Sequence, residues 1–337
     1  MPFPKNFKLN TGATIPTCMQ TLRYLTLKVA LGLRTPSSRA PPKTLEATKA
    51  GLTGGVRYIV SEYANLNEGL IGQAIKESNI PRADLFISGK LWNTRHRDVE
   101  KAFNETLSSL GVDYLDLYIM HWPIAFKNNG SDIKVGEDHK VDKRAYDDLY
   151  PKSSNSKELE IDSEVDFLDT WKQMEALLPS KKVKAIGVAN YTKPKLEKLL
   201  KNSKVIPALL EIETHPFMLQ TELMEYCKKN KIHVSAHTST GLSNKRGVLK
   251  KVLVDEPVIK NIAEKHEQSP FKVLAAWAIQ RGTTPVLPAI DAEKVKEVFD
   301  LKELTKEEFE EIRKLGDEHT ERYFSANGFS SVFEDKE

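Results

Sequence analysis

Short runs rich in aliphatic and β-branched residues alternate along this chain with longer stretches whose apolar positions recur at helical spacing. The runs fall at Tyr58–Val60, Leu85–Ser88, Tyr114–Met120, Val183–Ala189, Ala208–Ile212, His233–His237 and Pro285–Leu287, and one near Leu31–Leu33 brings the expected strands to eight. Helical patterns lie near Leu45–Leu52, Leu70–Ser78, Val99–Leu110, Phe167–Leu178, Lys195–Leu200, Glu222–Asn230 and Val258–Arg281. A helix-length crossover returns the chain to the same end of a sheet, so the strands must pair in parallel. Eight such units close into an α/β (β/α)8 TIM barrel. A doubly wound open sheet is the alternative, but no Gly-x-Gly-x-x-Gly follows the first strand.

Four segments depart from the alternation. Phe7–Pro16 alternates around Thr11-Gly12 and predicts an N-terminal β-hairpin. Residues 18–42 are too long for a strand-to-helix link and end in Pro36-Ser37-Ser38-Arg39-Ala40-Pro41-Pro42, which is loop composition. Residues 124–166, rich in Asp, Lys and Ser, leave the fourth strand at its C-terminal end and are expected to hang over the barrel mouth. Thr305-Lys306-Glu307-Glu308-Phe309 has the spacing of a capped helix start, and the tail at 323–337 is placed to reach back to the mouth. Residues 1–337 thus form one expected domain with long loops at its C-terminal mouth.

Composition narrows the class. The 337 residues are 40% hydrophobic and 29% charged, which suits a soluble globular protein, and 50 basic against 47 acidic residues ask for neither nucleic acid nor membrane. Runs such as Lys181-Lys182-Val183-Lys184 read as solvated faces. Cys18 and Cys227 lie far apart and are expected to be reduced thiols. The N-terminus lacks signal-peptide order, and Leu22–Leu33 is too short to span a bilayer and carries Arg23 and Lys28, so the cytoplasm is the expected compartment; the chain is expected to be a monomer.

In such a barrel, polar residues at the C-terminal strand ends are the candidates for chemistry. Lys90 ends the third strand, His121 the fourth, Asn190 the fifth and His237 the seventh. A lone histidine is more often a packed, hydrogen-bonded residue than a catalyst; on neighbouring strands these side chains can converge. No metal-ligand spacing stands out.

Several stretches carry a resemblance. Phe7–Pro16, Ile71-Gly72-Gln73-Ala74-Ile75, Pro81-Arg82-Ala83-Asp84-Leu85-Phe86, Lys90-Leu91-Trp92-Asn93-Thr94 and Leu110-Gly111-Val112-Asp113-Tyr114-Leu115-Asp116-Leu117-Tyr118 are followed by His121-Trp122-Pro123, Ile186-Gly187-Val188, His215-Pro216 and Trp277-Ala278-Ile279-Gln280-Arg281-Gly282. In this order they resemble the aldo-keto reductases, close to the fungal aldose, xylose and glycerol reductase type. The resemblance implies NADP(H) bound across the mouth and hydride transfer to the carbonyl of a small molecule. It implies a tyrosine as proton donor, a lysine that lowers its pKa, an aspartate paired with the lysine and a histidine that orients the carbonyl. A phenol titrates near ~10 and needs a nearby cation to act as an acid around neutrality.

Carried over residue by residue, Lys90 and His121 match. Between Arg57-Tyr58-Ile59 and Asn67-Glu68, Val60 stands at the aspartate position and Asn65 at the tyrosine position. An asparagine amide is not a proton donor of useful acidity. On the cofactor side the family's Ser-Asn pair appears as Ala189-Asn190, its Asn-Gln as Leu210-Glu211 and its stacking tyrosine as His237. The phosphate-gripping Ile-Pro-Lys-Ser reads Leu287-Pro288-Ala289-Ile290, the following arginine is Lys294 and the asparagine is Val298. Cofactor binding therefore falls to Asn190, Glu211, His237 and Lys294, and substrate binding to His121 and Trp122. The family's Gly-Leu-Gly-Thr-Trp is expected directly after Ile15-Pro16; here Cys18–Ala30 intervenes, either as an inserted loop or as a translated intron.

Three readings follow. In the first, the chain is a reductase whose proton comes from Tyr63 after a shift of register, or from His121, since imidazole titrates near neutrality. Tyr63 reads more simply as a packed or surface residue, because a two-residue shift at a strand end re-aims the side chain. In the second, the chain is a pseudoenzyme or ligand-binding scaffold. In the third, Lys90, buried without its carboxylate partner, has a depressed pKa and serves a lyase or isomerase as a neutral amine.

Overall fold

Period-two alternation along each strand sorts the chain into a barrel interior and a helix-facing exterior. The computed structural model describes every residue except 1, 5, 17, 23–24, 30–31, 35–40, 129–132, 134–142, 154–157, 242–250, 289–291, 297–298, 324–328 and 334–337. The antiparallel pair β1 (Phe7–Lys8) and β2 (Thr14–Ile15) is the expected hairpin. Within the long segment after it, β3 (Cys18–Leu22) and β4 (Leu25–Val29) form a second antiparallel pair, in register from Cys18 opposite Val29 to Leu22 opposite Leu25. The expectation there was an inserted loop or a translated intron.

The barrel strands are β5 (Gly32–Arg34), β6 (Tyr58–Val60), β7 (Phe86–Leu91), β8 (Leu117–Met120), β9 (Ile186–Ala189), β10 (Leu209–Glu213), β11 (His233–His237) and β12 (Thr284–Pro288). Each pairs in parallel with the next, and β12 returns to β5 to close the barrel. Tyr58, Val60, Phe86, Leu117, Ile119, Leu209 and Val286 fill its interior, and Leu9 and Ile15 of the hairpin plug the bottom. Ile59, Ile87, Tyr118, Met120, Ile186, Val188, Leu210 and Ile212 face outward into the shell of helices.

That shell includes α1 (Pro41–Thr53), α2 (Glu68–Glu77) and α3 (Val99–Leu110) after the first three strands. The polar segment after β8 holds a short helix, α4 (Lys143–Leu149), before α5 (Phe167–Glu175). Then come α6 (Lys193–Asn202) and α7 (Thr221–Lys229). The pattern expected as one helix at Val258–Arg281 is two, α8 (Pro257–Lys265) and α9 (Pro270–Gln280). The chain leaves α8 at Glu267, whose backbone is left-handed (φ 51°), and the Ser269 hydroxyl accepts from Lys272 N to start α9 afresh with Pro270 in its first turn. After α10 (Ala292–Lys296), α11 (Lys306–Glu318) opens with the expected capping box between Thr305 and Glu308. The tail ends in α12 (Ser330–Phe333), and Phe329 before it packs on Trp122 with ring centroids 4.3 Å apart. The tail therefore does return to the mouth. Cys227 is a free thiol, buried in the shell, and burial pushes its pKa up to about 12. Among the described residues, no helix is long and apolar enough to cross a membrane.

Candidate active site

Following the interior face of each strand upward leads out of the apolar core into charge. Gly32 is followed two residues on by Arg34, Val60 by Glu62, Ser88 by Lys90, Ile119 by His121, Leu209 by Glu211 and Ser235 by His237. All six upper residues line one cavity of about 310 Å³ at the C-terminal mouth. The strand period is what brings them together.

Lys90 is the centre. It is 1% exposed, and its ammonium donates to Glu62 Oε1 at 2.7 Å and to Glu211 Oε1 at 2.5 Å. Glu62 Oε2 in turn accepts from Asn65 Nδ2 at 2.9 Å and from Arg34 Nη1 at 3.3 Å. Burial pulls the Lys90 pKa down, but the carboxylates of Glu211 and Glu62 outweigh it and hold the ammonium above its ordinary value. Burial likewise raises the carboxyl of Glu62, and Lys90 and then Arg34 overturn this and hold it well below the usual range. The two ionic partners of Lys90 are 6% and 2% exposed, so this is a desolvated cluster in which removal of one member leaves the others uncompensated.

These contacts correct the expectation of an unpaired, neutral Lys90. Val60 does stand on β6, packed with the interior apolar residues, but the lysine's carboxylate comes from Glu62, two residues further along the same face, and from Glu211 across the barrel. A cationic Lys90 has no nucleophilic lone pair, so the lyase or isomerase reading loses its basis. Asn65 lines the cavity and spends its amide on Glu62.

The histidines are neutral. Burial, and next the charge of Lys90, push His121 down to about 3. It is therefore held neutral and is not the imidazolium acid expected from its ordinary pKa. Its Nδ1 is buried with no hydrogen-bond partner among the described residues. Burial also takes His237 to about 3. Its Nε2 lies 3.1 Å from Asn190 Oδ1 and its Nδ1 2.9 Å from Thr238 Oγ1, so the ring is fixed by both edges. Asn190 Nδ2 donates to the carbonyl of His121 at 2.9 Å, linking β8, β9 and β11 at the mouth. Asn190 and Thr238 both adopt left-handed backbone, φ 62° and 59°. For a β-branched threonine this is an outlier, of the kind that clusters at ligand sites.

An aromatic wall rises over this ionic floor. Trp92, Trp122, Tyr150 and Phe329 line the cavity, and Phe126 and Leu149 back them. The Trp92 ring meets His121 edge-on at 5.2 Å and Tyr150 at 5.1 Å, and its Nε1 donates to the Leu149 carbonyl at 2.8 Å. Tyr63 packs into the same aromatic cluster, as a packed residue would. Arg34, Glu62, Tyr150 and Phe329 escaped sequence reading. Period two beyond Val60 points to Glu62, whereas Tyr150 and Phe329 come from irregular chain and leave no such signal.

A planar dinucleotide head fits the residues present. His237 offers a ring face held by both nitrogens, and Glu211 Oε2 is a buried acceptor with no hydrogen-bond partner among the described residues, suited to an amide N–H. Lys294 lies on α10, but its side chain falls outside the described residues, as do Ala289, Ile290 and Val298.

This combination of a closed parallel barrel and a buried lysine–histidine site at its mouth defines a class. Residues 31–317 match the Aldo/keto reductase family, and the chain belongs to that family. It is 35% identical over 321 residues to aldehyde reductase YPR1 of Saccharomyces cerevisiae, covering 93% of this chain and 91% of that protein. It is 35% identical over 297 residues to aldo-keto reductase family 1 member A1 of Gallus gallus, covering 85% and 84%. Its fold superposes on the aldose reductase of Schistosoma japonicum with a TM-score of 0.79 at 30% identity, covering 97% and 96% of the two chains.

Proposed function

We infer that this protein is an NAD(P)H-dependent oxidoreductase of aldo-keto reductase type, acting on the carbonyl or alcohol group of a small molecule. The observation that carries this reading is the ammonium of Lys90, fixed between Glu62 and Glu211 beside neutral His121 at the floor of an aromatic cavity. A fixed cation over which negative charge develops is the arrangement that favours an alkoxide.

NADP(H) is the proposed cofactor. When bound it supplies the hydride. His237 would hold the face of the nicotinamide, Asn190 the ring's surroundings and Glu211 its carboxamide, with Lys294 as a cation toward a phosphate. The protein's own residues do the rest. His121, neutral, donates a hydrogen bond to the carbonyl oxygen and orients it, and Lys90 stabilises charge on that oxygen. Trp122, with Trp92 and Phe329, excludes water, which strengthens both interactions. We place the chain, as one domain and a monomer, in the cytoplasm.

Titration with NADPH and with NADH, followed by an aldehyde panel, tests this reading. Binding with tighter affinity for NADPH and consumption of the reduced cofactor are expected; a protein that binds neither at millimolar concentration is a scaffold. Asn65→Tyr places a phenol beside the cluster and is expected to raise turnover, with Glu62 already serving as carboxylate. A rate unchanged by this substitution would show that position 65 is no longer where protons are delivered.

A further inference from the structure

Carbonyl reduction needs a proton as well as a hydride, and the groups around the cavity differ sharply in their ability to give one. Lys90 is clamped by two carboxylates, Glu62 is ionised, and His121 and His237 are neutral. Asn65 offers only an amide, bonded to Glu62. The described cavity lining contains one phenol, that of Tyr150.

Its placement is built. The residue ends the turn after α4, where its own N–H donates to the Tyr146 carbonyl at 3.2 Å. Trp92 fixes it twice, through the hydrogen bond from Nε1 to Leu149 O and through the edge-on ring contact at 5.1 Å. The same indole also meets the His121 ring edge-on, at 5.2 Å. A carbonyl held by His121 against Trp92 therefore has the Tyr150 ring as its neighbour in the wall.

We propose that Tyr150, carried by the segment between the fourth strand and its helix, is the proton donor of this reductase. The proposal rests on the carbonyl-reduction reading above. Hydride passes from the reduced nicotinamide to the carbonyl carbon, the C=O π pair moves onto oxygen, and the Tyr150 O–H proton passes to that oxygen. The alcohol leaves, the cofactor is left oxidised, and water returns a proton to the phenolate.

The test compares wild type, Tyr150→Phe and Tyr146→Phe for NADPH binding, kcat, KM and the pH profile of kcat, using an aldehyde the wild type reduces. Tyr150→Phe keeps the ring against Trp92 and removes only the hydroxyl. The expected result is a loss of about 10²–10⁴-fold in kcat with KM and NADPH affinity within a few fold. In wild type, kcat falls on the alkaline side as the phenol ionises, and this limb disappears in the variant. Tyr146→Phe, in the same aromatic cluster but outside the cavity lining, is expected to match wild type. A Tyr150→Phe enzyme within about threefold of wild type, or one whose loss lies in KM with the alkaline limb intact, overturns the donor role and leaves the reductase reading standing. A wild type that neither binds NADPH nor turns over overturns both.

Discussion

The two ends of the barrel are made by the same strands and hold opposite chemistry. At the bottom, Tyr58, Phe86, Leu117 and Leu209 pack with Leu9 and Ile15 of the hairpin, closed and apolar. Two to four residues further along the same inward faces stand Arg34, Glu62, Lys90 and Glu211. The difference teaches that position along a strand decides role here: the lower layers contribute burial, while the top layer commits charged groups that are stable only as a set.

Acid is the broadest way to break the comparison. His121 and His237 at the mouth have folded pKa values of about 3, and His233, beside Phe7 near the bottom, about 4. The unfolded chain takes up these protons near ~6.5, so their contribution is whole above that pH and is lost progressively as pH falls toward the folded values. Glu62, held low, adds stability above its unfolded pKa of ~4.3 and loses it at still lower pH. Urea midpoints measured between neutrality and pH ~4 are expected to fall steadily; a flat profile would mean that these rings are solvated.

The next effect separates the ends. Lys90→Met strands Glu211 without its cation, leaves Glu62 with Arg34 alone, and is expected to cost about 3–5 kcal/mol in denaturant unfolding, together with turnover. Ile15→Val, at the bottom, is expected to cost only about 0.5–1.5 kcal/mol and to leave kcat and KM untouched. If Ile15→Val altered kinetics as strongly as stability, the two ends would be coupled and the layered account would fail.

Much of this was legible in the sequence because it depends on period and chain order. The β/α alternation, the hairpin and the capping box at Thr305 follow from local spacing, the convergence of Lys90, His121, Asn190 and His237 from where polar residues fall at strand ends, and Glu211 from the family resemblance. Trp122 also lines the cavity as expected. Position-by-position comparison with the family pattern misled at Val60, since a carboxylate two residues later on the same face reaches the same lysine. The pKa of His121 was equally hidden: its depression comes from burial and from Lys90, neither of which is local in sequence. Tyr150 and Phe329 could not be foreseen, because tertiary packing against Trp92 and Trp122 puts them in the wall. The break at Ser269-Pro270 was readable and was overrun by a strong helical period.

The central claim is that Glu62 has taken over the support of Lys90 in a working reductase. Its most direct test is the oxidation of NADPH by saturating aldehyde at neutral pH, wild type beside Glu62→Gln. The account predicts measurable turnover in the wild type and a loss of about ten- to a hundredfold in the variant, the worth of one charged hydrogen bond of about 1.5–3 kcal/mol. Equal rates in the two proteins would contradict it.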